Sequence, residues 1–248
     1  MARFLLLTFA LGSRIAMSIT LAPRKMLALL ALAVTSIIGA YLGTLVLAYG
    51  LGHDHVLGLV SLFDVDQEHN IPAWFSSGLL LTAAVLLALV AAGVKQSGKP
   101  HPARWMGLAV VFFFLSFDEA IEIHERLGPP MTALIVGSGH LARYTWVVPY
   151  AIAGLLLLLV YMPFLRGLPR ASLKRFIVAG TAYALGAFGT EVVGGFYFNS
   201  THTEETLAYD LISGVEEGLE MVGIVWFIYG LLKHVETELE GVLVRVGK

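Results

Sequence analysis

The stretch GLAVVFFFLSFDEAIEIHER, Gly107 to Arg126, runs from an unbroken apolar segment straight into four carboxylic acids, a histidine and an arginine. Its acidic core, Asp118-Glu119-Ala120-Ile121-Glu122, has an echo in Glu216-Glu217-Gly218-Leu219-Glu220, which also sits inside apolar sequence. An ionisable group at the centre of a bilayer costs about 2.5–3.5 kcal/mol even on the lenient insertion scale. Two such clusters in apolar segments of bilayer length therefore imply a polar task inside a membrane.

The composition agrees with that reading. Of 248 residues 57% are hydrophobic and 14% charged, with a mean hydropathy of +0.79, whereas soluble domains carry about a quarter charged residues. A spanning helix needs about 20 apolar residues, and six segments qualify as expected spans: 26–51, 75–95, 105–127, 145–165, 175–198 and 207–232. The expected fold is an all-α integral membrane bundle of six transmembrane helices. Residues 1–25 form a cytoplasmic or interfacial lead-in, 26–233 the transmembrane domain and 234–248 a cytoplasmic tail.

Lysine and arginine set the orientation. Fourteen of the sixteen fall in the N-terminal segment, the 95–104 and 166–175 loops and the C-terminal tail; Arg126 and Arg143 alone lie on the opposite side. Both termini are accordingly expected in the cytoplasm, with three outward loops. Short basic loops of this kind set topology and offer no nucleic-acid-binding stripe. Phe4 to Leu11 resembles a signal-peptide core, but no convincing small-x-small cleavage site follows, which favours an interfacial segment. With no cysteine in the chain, disulfides, thiolate chemistry and cysteine-ligated clusters are excluded.

The outward loops carry most of the remaining polar chemistry. The first holds His53, His55, Asp64, Asp66, Glu68 and His69 around an apolar Val56–Phe63 run that suits a short surface helix. Its alternating acids are reminiscent of a calcium loop, but His69 stands where the sharp turn needs glycine. This loop is expected to be solvated, or a secondary cation-collecting vestibule, with Asn70 and Pro72 starting the second helix. In the second loop Gly128-Pro129-Pro130 is expected to stop the third helix, and the loop runs through His140 and Arg143 to Trp146, an interfacial anchor. The third contains Asn199-Ser200-Thr201, a formal glycosylation sequon without a secretory context.

At about 100° per residue, Asp118, Glu122 and Glu125 share one sector of a regular third helix, with Glu119 at its edge and His124 turned away. The sixth helix groups Glu216 and Glu220, with Glu217, Ser213 and Asp210 toward one flank. The fifth adds Glu191 after a glycine-rich run, 186–195, that permits close helix approach or a local break. At about 1.5 Å per residue these acids reach one layer, between the bilayer centre and the outer surface. The guanidiniums of Arg126 and Arg143 cannot neutralise the seven carboxylates Asp118, Glu119, Glu122, Glu191, Glu216, Glu217 and Glu220, so the excess charge must be met by protonation, by water or by bound cations.

The candidate cation or metal site is thus Asp118, Glu119, Glu122, His124, Glu125, Glu191, Glu216, Glu217 and Glu220. A divalent metal (Mg, Ca, Mn, Fe or Zn) is the one cofactor such ligands admit. Carboxylate-bridged di-metal bundles use Glu-x-x-His, whereas this chain offers Glu122-x-His124 and Glu122-x-x-Glu125. The two acidic motifs also allow two three-helix halves of opposite topology, as in secondary transporters.

Three stretches resemble a family of uncharacterised bacterial multi-pass membrane proteins: Leu62-Phe63-Asp64 through Trp74-Phe75-Ser76-Ser77, Leu115-Ser116-Phe117-Asp118-Glu119 through His124-Glu125-Arg126, and Glu216-Glu217 through Tyr229. The resemblance implies a bacterial inner-membrane location and supplies no catalytic residue. The leading functional expectation is binding and translocation of a proton or divalent metal. The alternatives are an intramembrane metalloenzyme acting on a lipid or quinone and an accessory subunit of a membrane complex. The lipid bilayer is the expected partner, a homo-oligomer is an open option, and nucleic acid is excluded.

Overall fold

A computed structural model describes residues 5–11, 15–53, 55–135 and 145–239. Two antiparallel strands, β1 (Leu5–Leu11) and β2 (Ile15–Leu21), precede the helical body and pair from Leu5 opposite Leu21 to Leu11 opposite Ile15. The body is helical throughout: α1 (Pro23–Leu45), α2 (Leu59–Phe63), α3 (Ile71–Gln96), α4 (Pro102–Ile121), α5 (Ile123–Ile135), α6 (Val147–Arg166), α7 (Arg170–Ala184), α8 (Glu191–Thr201) and α9 (Leu207–Glu238). A wider π-helical turn, Val46–Gly50, ends α1, and another, Leu185–Thr190, joins α7 to α8.

Among the described residues four helical segments are long and apolar enough to cross a membrane: Pro23–Gly50, Ile71–Gln96, Val147–Arg166 and Arg170–Thr201. The two remaining long helices, α4 and α9, carry the acidic motifs. Their helicity follows the sequence reading, while their carboxylates take them out of the purely apolar class.

Helix α9 is the axis of the bundle, packed against α1, α3 and α7. Met221 and Leu231 are completely buried, as is Leu87 of α3. Where lipid surrounds a bundle, such packing stabilises by close contact more than by removal from water. Glycine makes the α7–α9 contact possible. A Cβ at Gly223 would stand 2.8 Å from the Tyr183 backbone nitrogen, and one at Gly186 would stand 2.9 Å from the Glu216 carbonyl oxygen. Helix α6 is the least enclosed of the four apolar helices, with 11% of its span buried.

The start of α3 is as the sequence predicts. Asn70 Oδ1 accepts a hydrogen bond from the Ala73 backbone N–H at 3.2 Å, and Pro72 occupies the first turn, where no helical N–H is needed. The short helix expected within Val56–Phe63 appears as α2, entered through Gly58 at φ +76°.

The third expected span differs. It is not stopped by Gly128-Pro129-Pro130, which lie inside α5. It breaks earlier, at Glu122, whose φ of 60° puts a left-handed residue between α4 and α5. Asp118 explains why this kink holds: its Oδ1 accepts the backbone N–H of His124 at 2.9 Å, satisfying a donor left free at the start of α5.

Candidate functional site

The break at Glu122 rearranges the acidic face predicted for a regular helix. Asp118, Glu122 and Glu125 do not form one row. Asp118 is buried and turns to His124, with Nδ1 3.4 Å from Oδ2, so the histidine predicted to point away becomes a partner of this acid. Glu122 instead meets His69 of the loop between α2 and α3, at 3.0 Å. Glu125 is exposed.

Glu119, placed at the edge of the predicted sector, becomes central. It lies within electrostatic reach of Glu217 and Glu68, and Glu220 lies within reach of both Glu217 and Glu119. Glutamates from α4 and α9 thus face one another, as the shared depth of the two motifs implies. The register is visible below them, where Phe112 of α4 stacks on Phe227 of α9 with centroids 4.7 Å apart.

Glu216 occupies the flank toward α8, near Glu191 and hydrogen-bonded to Thr190. Glu191 accepts a hydrogen bond from Trp146 Nε1 at 3.0 Å. Trp146 also packs on the His124 ring, centroids 4.7 Å apart, so this tryptophan closes the acidic region instead of acting solely as an anchor. Glu191 therefore belongs to the outer flank of the cluster, separated from Asp118 by an aromatic wall. Of the acids expected in one layer, Glu119, Glu217 and Glu220 lie within electrostatic reach of one another, whereas Glu122 turns to His69 and Glu191 to Trp146.

The loop between α1 and α3 departs further from expectation. Treated in the sequence as solvated or secondary, it folds over the acids and joins them. Asp66 Oδ1 accepts the Ser213 hydroxyl of α9 at 2.8 Å, and Val65 is buried with Tyr41 and Leu45 of α1. Asn70 holds the loop closed by donating to the backbone oxygens of Gln67, at 2.7 Å, and Asp64. Glu68 reaches the centre, close to His124, Glu122 and Asp118. Desolvation pushes its carboxyl up to about 7, the neighbouring acids adding to that effect and His124 opposing it. Asp64 is also raised, chiefly by burial. His53 and His55 remain exposed outside this arrangement.

Several members carried no signal in the sequence. Tyr183 of α7 hydrogen-bonds to Glu220, Tyr41 donates to the Asp210 backbone oxygen at 2.5 Å, and the buried Tyr150 hydroxyl lies beside Asp118 without a hydrogen bond of good geometry. Tyrosines are common in membrane helices, so only the packing distinguishes these. A seven-residue spacing was available, however. Trp105, Phe112 and Glu119 run up one helix, as His234, Phe227 and Glu220 run along the other, which would have placed Glu119 at the contact.

Arg126 is exposed, and the basic groups seen in contact with the site acids are His69 and His124. Arg143 and His140 lie outside the described residues. Among the described residues no group of three or more His, Asp or Glu side chains is gathered closely enough to hold a metal ion. The arrangement is a set of paired and adjacent carboxyls with two histidines and several tyrosine hydroxyls, which suits holding and passing protons.

Residues 26–235 match a domain of unknown function, DUF8692. The chain belongs to the DUF8692 family. No curated protein and no solved structure matches it. The matched region begins in α1 and ends in α9, so the acidic motifs of α4 and α9 and the loop that covers them all fall within the DUF8692 domain.

Proposed function

We propose that this DUF8692 protein is a six-span protein of a bacterial inner membrane that binds a cation, first of all the proton, in an outward-facing carboxylate layer. The two spans beyond the four apolar ones are, in this reading, α4 continued by α5, which is the third in the chain, and α9, the sixth. Both termini lie in the cytoplasm, as the distribution of Lys and Arg favours. The observation that carries the proposal is the facing of Glu119 with Glu217 and Glu220 across two helices, with no Lys or Arg among the described residues that act on them. Unpaired carboxylates so close inside a membrane repel one another and are poorly solvated, so protons or another cation must offset the charge.

Glu68 links this layer to the outward loop through Asp118 and His124. Toward the basic side the packed core is apolar, with Leu87, Val90, Ile228 and Leu231 buried. This conformation therefore supports proton binding and exchange with the outer side; translocation would require a second conformation. Infrared pH titration of the purified protein tests the reading. Protonated-carboxyl bands should persist at neutral pH and diminish in Glu217→Gln and Glu220→Gln but not in Glu204→Gln. Calorimetric binding of Mn2+ or Zn2+ that is weakened by the first two substitutions would replace the proton by a metal.

A second reading, an enzyme acting on a lipid or quinone, is favoured by one observation. An apolar cleft adjoins the Tyr183 side of the acids.

A further inference from the structure

A cavity of about 210 Å³ lies between α3, α4, α6, α7 and α9, on the basic side of the carboxylates. Six aromatic residues line it, Trp105, Phe112, Phe164, Phe176 and Phe227 together with Tyr183. It is partly open to the surroundings of the bundle. Its lining is almost wholly apolar, and at one end stands Tyr183, hydrogen-bonded to Glu220.

Three constraints fix what such a cavity accepts. Its volume is below the ~300–1,000 Å³ of pockets that enclose a drug-sized ligand, so it holds one ring, with the rest of the molecule continuing into lipid. Aromatic walls suit a planar ring, which gains offset-stacked or edge contacts there. Tyr183 lies thirteen residues into its helix, about 20 Å from the basic end, near the middle of a hydrocarbon core of about 30 Å. A charged head would be costly at that depth, and an anionic one would also be repelled by Glu217 and Glu220.

We infer that this cleft binds the uncharged ring of a membrane-dissolved quinone or phenol, with its polar oxygen toward the Tyr183–Glu220 pair and its apolar tail leaving between the helices. The inference rests on the proton-binding reading only for the head: Glu220 then supplies an uncharged hydrogen-bonding group beside the ligand oxygen. The cavity and its aromatic walls stand independently of it.

Decylubiquinone titrated into the full chain in phospholipid nanodiscs provides the test, with tryptophan fluorescence as readout, since Trp105 lines the cleft. Saturable quenching is expected, and Trp105→Phe should remove most of it. Gly180 also lines the cavity, and a Cβ there meets nothing within 4 Å. Gly180→Leu should therefore fold normally, fill the space and weaken binding about tenfold. Tyr183→Phe should weaken it about fivefold, the loss of one hydrogen bond. Quenching that does not saturate, or that is unchanged in a folded Gly180→Leu protein, overturns the site. Displacement by decanoate or decylamine as effective as by decanol overturns the neutral-head assignment. Saturable, Gly180-sensitive binding without protonated-carboxyl bands would uphold the cleft while removing the proton reading; bands without saturable binding would do the reverse.

Discussion

Phe112 of α4 lies flat on Phe227 of α9, with ring centroids 4.7 Å apart and planes 6° from parallel. Seven residues toward the basic end on each helix, Trp105 stands against His234 at 4.9 Å. Seven residues the other way stand Glu119 and Glu220, whose carboxyls lie within electrostatic reach of each other. Seven residues are close to two helical turns, so one contact seam between antiparallel helices changes from aromatic to acidic in a single step. The aromatic rungs thereby hold the carboxyls at each other's level.

Removing one charge from that step should stabilise the fold. Glu119→Gln is expected to raise the thermal midpoint in detergent at pH 8 by about 2–4 °C, the shift that ~1 kcal/mol produces in a chain of this size. A drop of similar size would mean that the carboxylate has a cationic partner and would sink the mutual-repulsion argument.

Glu68 gives the site a pH dependence with a defined sign. Its carboxyl is raised from 4.5 to about 7 in the folded protein, so the folded state binds more protons than the unfolded one between those values. The stability it contributes is complete below pH 4.5 and is lost as pH rises through about 7. Thermal midpoints measured across pH 4.5–8 should fall over this window, and Glu68→Gln should flatten the curve; an unchanged slope in the variant would assign it to another group.

His234 acts in the opposite direction at the basic end. Burial lowers it from 6.5 to about 4, with Lys99 and Arg175 adding to the shift and Glu238 opposing it, and its Nδ1 pairs with the Ser172 hydroxyl at 3.0 Å. Its stability contribution is present above pH 6.5 and lost as pH falls through about 4. His234→Gln should remove this acid-side loss, read in the same melting series, and persistence of the full loss in the variant would refute the assignment.

Close packing of α7 and the π-helical turn that follows it on α9 should be intolerant at one glycine, Gly186 of the turn, and tolerant at another, Gly180 of α7. A Cβ at Gly186 would fall 2.7 Å from Glu220 Cγ and 2.9 Å from the Glu216 carbonyl oxygen, whereas one at Gly180 meets nothing within 4 Å. Gly186→Val should cost about 1–3 kcal/mol, with Gly180→Ala near neutral. Equal melting temperatures for the two variants would show that α7 and α9 are not in this contact.

The six-span orientation is open to direct assay. Reporters fused after Lys99, Arg170 and the C-terminus should read cytoplasmic, and those after Glu68, Gly137 and Thr203 external. An external C-terminus would reverse the meaning of every loop.

Helices long and apolar enough to cross a membrane, and the helical body they form, were legible in the sequence, because hydropathy acts locally and sums along the chain. Asn70 and Pro72 declared a helix start for the same reason: a cap is a contact within one turn. The glycine-rich run before Glu191 announced a local irregularity and close approach, and the π-helical turn at Leu185–Thr190 with Gly186 against Glu220 supplies both.

Contacts between distant segments were decided only by the tertiary structure. A regular 100° step put His124 away from Asp118, but the left-handed conformation at Glu122 restarts the helix and turns the histidine back. The alternating acids of the first loop looked solvated because nothing near them in sequence demands burial; their partners, Ser213 and His124, lie far along the chain. Sequence alone determined which segments can bear the lipid environment and that their acids need compensation. Which acids meet, and that Glu119 stands at the centre, depends on helix register and on one backbone break, which are properties of packed helices and not of any one of them.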